Sequence, residues 1–292
     1  MEYASRRFAS ILALVWLALL PAWPAAADPA LWQAKGTAGV VHLFGTVHAL
    51  RPGASWKTPS FRQAFEHSEE LWVEIANPDD PAAGLLLHDL GLDPAHKLRD
   101  LLPPDSRTAL DEAVAALGLP GGSASLDRFR PWAASLLLTV VPILKAGYDP
   151  QSGVDRELIY QARSFSKPVF GFETMAQQLH YFADLPQADQ IAMLRNTLGD
   201  ASEGAAVTDR LVAAWSSGDE AVLLAEGDKM KHDSPSLYKA LIVDRNRRFA
   251  DGIVKLLARP GSFFVAVGGL HLPGPDGIRA LLVKRGIAVE RE

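Results

Sequence analysis

Val41-His42-Leu43-Phe44-Gly45-Thr46-Val47-His48 is an apolar run that ends in Gly-x-x-His, and it lies near the start of the chain. Near the other end, Phe264-Val265-Ala266-Val267-Gly268-Gly269-Leu270-His271 has the same form. A continuous apolar run is typical of a parallel strand that is buried on both faces. Open α/β sheets bind ligands at the carboxyl ends of such strands. If the two strands lie close in one sheet, we expect His48 and His271 to meet at its edge.

Two carboxylates also follow predicted strands. Glu74 comes directly after Leu71-Trp72-Val73, and Glu173 follows the run at residues 169–172. Burying a carboxylate without a partner costs several kcal/mol, so each one needs an arginine, another cation or a metal ion. Histidine nitrogens combined with carboxylate oxygens suit divalent zinc, manganese, cobalt or iron. The sequence therefore indicates a polar site that His48, Glu74, Glu173 and His271 could share.

The order of the predicted elements favours an α/β fold. We predict strands over residues 40–44, 71–75, 169–172 and 262–267, and a final edge strand over 287–290. A long helix is predicted over 234–257, with Ser234 as its N-cap. Strands at both ends with helices between them indicate a single mixed sheet with flanking helices. We further expect two pseudo-equivalent halves, each ending a strand in Gly-x-x-His, and a large helical insertion, mostly helical over residues 81–150 and 175–257.

The first residues have the layout of a secretory signal peptide. Arg6 and Arg7 precede an apolar run over residues 8–20, and Ala25-Ala26-Ala27 supplies small residues for cleavage. An uncleaved membrane anchor is the alternative. We expect a signal peptide over 1–27, an α/β domain over 28–292, and a periplasmic or secreted protein. Contact with a membrane is then only transient, through the signal segment.

Composition excludes several functions. The chain has 29 lysines and arginines against 34 aspartates and glutamates, a formal net charge of −5, and no basic cluster. A nucleic-acid partner is therefore not expected, and a peptide or small-molecule substrate is. The absence of cysteine rules out a thiol nucleophile and cysteine-ligated zinc. The oligomeric state is not predicted.

Each candidate residue also has a structural interpretation. A histidine after a strand is often a hydrogen-bonded structural residue, and Glu173-Thr174 could simply cap the next helix. Arg245 and Arg247 would ordinarily form a solvated helix face, and His42 would be a buried histidine with its hydrogen bonds satisfied. The other five histidines have no comparable placement and are expected to be surface or structural residues: His67, His88, His96, His180 and His232.

The ordered set of motifs resembles a known family. Gly45-Thr46-Val47-His48 is followed by other motifs in sequence, namely Glu74, Gly153-Val154-Asp155, Gly171-Phe172-Glu173-Thr174, Arg245-Asn246 and Gly268-Gly269-Leu270-His271-Leu272-Pro273-Gly274. This series resembles the TraB/PrgY/GumN family, whose animal relatives are the Tiki metalloproteases. The resemblance covers residues 31–290.

The resemblance implies particular roles. It makes His48 and His271 the site histidines and Glu74 their carboxylate partner, with Glu173 and Arg245 at further family positions. The likeness to Tiki implies hydrolysis of a peptide bond with the help of a divalent metal ion. Distant relatives include esterases that use a histidine base without metal, and others bind haem-like ligands.

The leading hypothesis is an exported metal-dependent hydrolase of the peptidase type. His48, Glu74 and His271 would bind one divalent ion, which is manganese, cobalt or zinc. Glu173 would accept a proton or be a fourth ligand, Arg245 would stabilise an oxyanion, and Asn246 would orient substrate or ligand.

Two alternatives stay open. One is a metal-independent esterase or amidase in which His48, held by Glu74, is the general base. The other is a non-catalytic exported protein that binds a metal, a tetrapyrrole or a peptide signal.

Overall fold

A six-stranded mixed sheet forms the centre of the protein. The structure, a computed structural model, describes residues 28–200 and 203–292, so the predicted signal peptide over 1–27 lies outside the described residues. Within that described part, no helix is both long enough and apolar enough to cross a membrane. The strands are β1 (Leu31–Lys35), β2 (Gly39–Thr46), β3 (Glu70–Val73), β4 (Val169–Gly171), β5 (Gly261–Gly268) and β6 (Val289–Arg291).

Helices occupy most of the chain between the strands. They are α1 (Pro59–His67), α2 (Pro81–Gly91), α3 (Leu98–Leu101), α4 (Pro104–Leu117), α5 (Pro131–Lys145), α6 (Val154–Ser164), α7 (Met175–Ala183), α8 (Gln187–Gly199), α9 (Gly204–Ser216), α10 (Glu220–Asp233), α11 (Pro235–Tyr238), α12 (Asp244–Leu257) and α13 (Ile278–Val283). A π-helical turn, Lys239–Val243, joins α11 to α12.

The strand order is β4-β3-β5-β2-β1-β6. The first four strands of this order are mutually parallel, and β1 pairs antiparallel with both β2 and β6. The predicted single mixed sheet is therefore confirmed. The two Gly-x-x-His runs lie side by side at its centre, because β2 pairs with β5 and Thr46 is opposite Gly268.

Both faces of the central strands are buried, as their continuous apolar sequence predicts. Phe44 and Phe264 point to one face, where they pack with α1 and α6. Leu43 and Val265 point to the other face, where they pack with α12 and α13. Two further hydrophobic clusters join helices outside the sheet layers, chiefly α4, α5 and α8 in one and α5 and α7 in the other. The second predicted helical region, 175–257, thus includes two helices that pack against the sheet, α12 and, through Trp215, the end of α9.

Several predicted elements differ in detail. Strand β1 was not predicted, and the last strand is Val289–Arg291 rather than 287–290. The predicted helix over 234–257 exists but is interrupted by the π-helical turn. Ser234 does not cap it with its side chain, since the Ser234 hydroxyl instead accepts a hydrogen bond from Asn196 Nδ2 at 3.0 Å.

Candidate functional site

The carboxyl ends of four parallel strands lie along one edge of the sheet. His48 comes two residues after β2, and His271 ends the short turn that follows β5. Glu74 directly follows β3, and Glu173 comes two residues after β4. Because these strands are neighbours, all four residues that were predicted at strand ends lie along this edge.

Gly268 lies at the point where three of them converge. A Cβ atom at this position would be 3.2 Å from Glu74 Oε1, 3.5 Å from His271 Cδ2 and 3.6 Å from His48 Nε2. Any side chain here would therefore press on all three groups. The structure brings His48, Glu74 and His271 together. The two histidines nevertheless differ in their exposure to solvent. The side chain of His48 is 69% exposed, whereas His271 is 4% exposed.

Hydrogen bonds fix the orientation of the His271 ring. Asn246 Nδ2 donates to the carbonyl oxygen of Asp276 at 2.8 Å, so Asn246 Oδ1 is the atom that accepts from His271 Nδ1 at 2.6 Å. His271 Nε2 is then free to act as an acceptor or ligand, and it lies 3.5 Å from Glu74 Oε1. Burial lowers the pKa of His271 to about 4, against the opposing effect of Glu74. At neutral pH the ring is uncharged and presents a lone pair to the carboxylate.

Glu74 is held in a fixed orientation. Its Oε1 accepts from the backbone N–H of Gly268 at 2.7 Å, and its Oε2 accepts from Gln178 Nε2 at 2.9 Å and from Arg245. Burial alone would raise the pKa of this carboxyl. In the acid range where Glu74 would titrate, the charges of protonated His271, Arg245 and His48, together with the Gly268 hydrogen bond, outweigh burial and hold the pKa of Glu74 well below its usual range. Glu74 is therefore ionised throughout the physiological range.

Arg245 is buried rather than solvated. Only 6% of it is exposed, and its guanidinium donates to both Glu74 and Glu173. The structural interpretation of Arg245 as a solvated helix residue is therefore wrong, while Arg247 is exposed as expected. Arg245 Nη1 also donates to the Leu241 carbonyl oxygen, at 3.2 Å, within the π-helical turn. Such turns are frequent at functional sites, and this one precedes the residue that positions Glu74.

Glu173 holds Arg245 from the other side. Its Oε1 accepts from Arg245 Nε and from Gln178 Nε2, each at 2.9 Å, and its Oε2 accepts from the Tyr181 hydroxyl at 2.7 Å. Thr174, not Glu173, is the residue that caps α7, in a capping box with Gln177. With both oxygens occupied, Glu173 is placed to orient Arg245 rather than to reach a substrate.

Asp155 is the carboxylate partner of His48. Asp155 Oδ2 lies 2.8 Å from His48 Nδ1, and its Oδ1 accepts from the Thr46 hydroxyl at 2.7 Å. The start of α6 can approach His48 this closely because residue 153 is glycine. A Cβ at Gly153 would be 2.3 Å from the His48 carbonyl oxygen. The hypothesis that Glu74 holds His48 is thus wrong in one respect: the hydrogen-bonded carboxylate is Asp155. Sequence reasoning missed this role, although Asp155 lies in the quoted Gly153-Val154-Asp155 motif.

The Asp155 carboxylate raises the pKa of His48 to about 9. Because 69% of the His48 side chain is exposed, water screens part of this interaction. At neutral pH the imidazolium form dominates, and the neutral form gains population as the pH rises. Any role of His48 as a ligand or as a base therefore strengthens with increasing pH.

Replacing Asp155 by asparagine should lower the pKa of His48 from about 9 toward the ordinary histidine value of 6.5, because the carboxylate that stabilises the imidazolium is lost. A titration of the ring signals by nuclear magnetic resonance measures this directly. Asp184→Asn is the matched control, since it alters a different exposed His–Asp pair, His180 with Asp184. A His48 pKa that does not move in Asp155→Asn would show that the pair contributes nothing.

His48 lies between two cavities of different character. One, of about 380 Å³, is lined by His48, His271, Arg245 and many apolar side chains. The other, of about 240 Å³, is lined by His48, Glu74 and Asp155 among others. The remaining histidines lie elsewhere. His42 is buried and bonded to Glu292, and His67, His88, His96, His180 and His232 are exposed, as predicted.

Part of the site has the spacing that a divalent ion requires. Among the residues that the structure describes, no three His, Asp or Glu side chains already form a metal-binding group. Two of the candidate ligands are nevertheless spaced suitably. Atoms bound at about 2.1 Å to one tetrahedral zinc ion lie about 3.4 Å apart, and His271 Nε2 is 3.5 Å from Glu74 Oε1. Both histidines have Nδ1 tied to a side-chain oxygen, which is the usual arrangement of metal-binding histidines.

The fold and the site define a class of protein: a mixed α/β sheet with a His–Glu–His cluster at the carboxyl ends of its central parallel strands. The model of the TraB/PrgY/gumN family matches residues 30–291, and the chain belongs to that family. Relatives include an uncharacterised protein, YbaP, from Escherichia coli K12 and Shigella flexneri. Each is 26% identical over 253 residues, which cover 82% of this chain and 87% of YbaP. No solved structure matches the chain.

Proposed function

We propose that this protein is an exported metal-dependent hydrolase of the peptidase type, with His48, Glu74 and His271 as ligands of one divalent ion. The observation that carries the proposal is the pairing of His271 Nε2 with Glu74 Oε1 at 3.5 Å. Two acceptor atoms face each other at this distance, because Asn246 directs the proton of the neutral ring to Nδ1. A cation between them would satisfy both.

The charge of the buried cluster supports the same proposal. Two carboxylates, Glu74 and Glu173, share a single buried guanidinium, that of Arg245. Because His271 is uncharged at neutral pH, these three side chains carry one negative charge in excess. An unbalanced buried charge costs several kcal/mol, and a bound cation would remove the cost.

The chain's own residues would orient the reacting groups. Asn246 aims His271 Nε2, Arg245 and Gln178 hold one oxygen of Glu74, and Asp155 aims His48. When bound, a divalent ion supplies an activated water and an electrophile for the carbonyl group. In the hydrolysis, the water oxygen bonds to the carbonyl carbon, the C–N bond breaks, and one water proton passes to the amine nitrogen.

The residue roles differ from some sequence expectations. We assign Asn246 to orienting His271, since it is fully buried and both ends of its amide are bonded within the protein. Glu173 and Arg245 are assigned to positioning Glu74, because the oxygens of Glu173 and the guanidinium are engaged with one another and with neighbouring groups. The metal ligands themselves are those that the sequence suggested.

The test is metal analysis of the purified protein after dialysis against a chelator and reloading with manganese, cobalt or zinc. We expect near-stoichiometric metal in the wild type and loss of it in the double variant His48→Ala/His271→Ala. Occupancy should be lower at pH 6 than at pH 8, because His48 must lose its proton to bind. His96→Ala/His180→Ala is the matched control, with two exposed histidines removed. Equal metal content in both double variants would contradict the proposal.

The metal-independent hydrolase is a second candidate, favoured by the His48–Asp155 hydrogen bond at 2.8 Å. His48 Nε2 would take a proton from water while Asp155 holds Nδ1, as in other base-and-carboxylate pairs. Since the pKa of His48 is raised to about 9, this activity should rise across neutral pH. Peptide or ester hydrolysis that survives the chelator but not His48→Ala would favour this candidate over the first.

A further inference from the structure

An apolar cavity opens directly beside the two histidines. Its volume is about 380 Å³, and His48, His271 and the backbone of Gly268 and Gly269 line it. The opposite walls come from α9, α10 and the π-helical turn, which contribute Leu211, Val212, Trp215, Leu223, Met230, Leu241 and Ile242. This size is within the range of cavities that hold small ligands or single large side chains.

The walls near the site are held in place. Trp215 Nε1 donates to the Gly45 carbonyl oxygen at 2.7 Å, so the ring is tied to the end of β2. A Cβ at Gly269 would lie 3.6 Å from Leu223 Cδ1 and 3.7 Å from Trp215 Cδ1, so the glycine forms the floor between the two side chains. Trp215 and Leu223 are 3% and 8% exposed. The cavity is therefore a built feature of the core edge rather than a gap between mobile surface side chains.

The two cavities beside His48 differ in polarity. Arg245 is the one cationic side chain besides the histidines among its described lining residues, and its charge is engaged by Glu74 and Glu173. The second cavity, on the other side of His48, is lined by Glu74, Asp155, Arg156 and Gln178. A substrate bound at His48 and His271 would thus meet an apolar wall in one direction and polar groups in the other.

We propose that the apolar cavity is the specificity pocket of the site and receives a large apolar side chain, of the leucine, methionine or phenylalanine type, next to the bond to be hydrolysed. The inference rests on the proposed peptidase function. A peptide with such a side chain should be cleaved in preference to one with alanine. One methylene group more or less in a hydrophobic pocket changes the ratio of kcat/KM values by about 10- to 200-fold.

The test uses synthetic peptides that are identical except for one residue, which is alanine, leucine or phenylalanine, placed at each position in turn. We expect kcat/KM for the best leucine or phenylalanine peptide to exceed that for its alanine counterpart by at least about tenfold. Leu211→Trp, which fills the cavity, should lower kcat/KM for the leucine or phenylalanine peptide by at least about tenfold more than for the alanine peptide. Leu85→Trp, at a position that is 71% exposed, is the matched control and should keep the preference.

Binding separates the pocket from the chemistry. Isothermal titration of the same peptides into His48→Ala/His271→Ala should give at least about tenfold tighter binding of the leucine or phenylalanine peptide than of the alanine peptide. Equal binding, or an equal loss for all peptides in Leu211→Trp, would overturn the pocket assignment. Preferential binding without cleavage by the metal-loaded wild type would instead reject the peptidase proposal and leave the apolar pocket standing.

Discussion

Replacing Arg245 by alanine is expected to lower the free energy of unfolding by about 3–5 kcal/mol. The substitution leaves Glu74 and Glu173 buried beside each other without the cation that both contact. Each is exposed by only 5–6%, so water cannot replace the lost partner. Urea denaturation followed by circular dichroism measures the change.

Arg247→Ala provides the comparison for Arg245→Ala. Arg247 is on the same helix but is exposed, so its loss should change stability by no more than about 0.5 kcal/mol. The difference between wild type and Arg245→Ala should also depend on pH. Arg245 helps to hold the pKa of Glu74 below the ordinary glutamate value of 4.5, so the contribution of the pair to stability is present above that pH and is lost as the pH falls. Equal stability of the two arginine variants at pH 7 would show that the buried cluster is not balanced by Arg245.

Replacing Glu74 by glutamine is expected to reduce the proposed peptidase activity by at least about 10³-fold, comparable to removing a principal group of a hydrolytic site. The amide keeps the shape, but its single carbonyl oxygen can accept from Gly268 or from Arg245 and not from both, and it no longer offers a charged ligand opposite His271. It also removes the excess negative charge of the cluster. Because one buried donor loses its acceptor, stability without metal should fall by about 1–3 kcal/mol. Steady-state cleavage of the best peptide, with metal supplied, is the measurement.

Two results define the outcome for Glu74→Gln. Added manganese, cobalt or zinc should raise the melting temperature of the wild type but not that of the variant, because a ligand that binds only the folded state stabilises it. Glu69→Gln is the control, since Glu69 is an exposed neighbour just before β3. A glutamine variant at position 74 that keeps full activity and its thermal response to metal would remove Glu74 from the site.

The centre of the fold was predictable because its signals are local. The apolar run ending at His48 and the one ending at His271 indicate buried parallel strands, and the structure pairs those strands side by side. The placement of Glu74 after β3 follows from the same reasoning. Strand β1 was missed because Leu31–Lys35 has neither a continuous apolar run nor a strict alternation, and its pairing with β2 and β6 defines it as a strand.

The partners of the site residues were not predictable, because they depend on helix orientation. Asp155 is 107 residues from His48, at the start of a helix whose sequence resembles many amphipathic helices. Arg245 has the pattern of a solvated residue, and it becomes buried because α12 is packed across the end of the sheet. Asn246, next to it, reaches His271 for the same reason. The residue pattern does not predict these helix positions, and it was the family resemblance that pointed to Arg245 and Asn246.

The adjacency of β2 and β5 has a kinetic consequence. Gly268 donates to Glu74 across 194 residues of sequence, and the strand between β3 and β2 is supplied by the last part of the chain. Closing so long a stretch of chain costs conformational entropy before β5 can pair with β2 and β3. This cost slows folding. A nascent polypeptide still attached to the ribosome at α12 therefore has an open sheet and no assembled site. On this topology the candidate site assembles only after β5 has been synthesised.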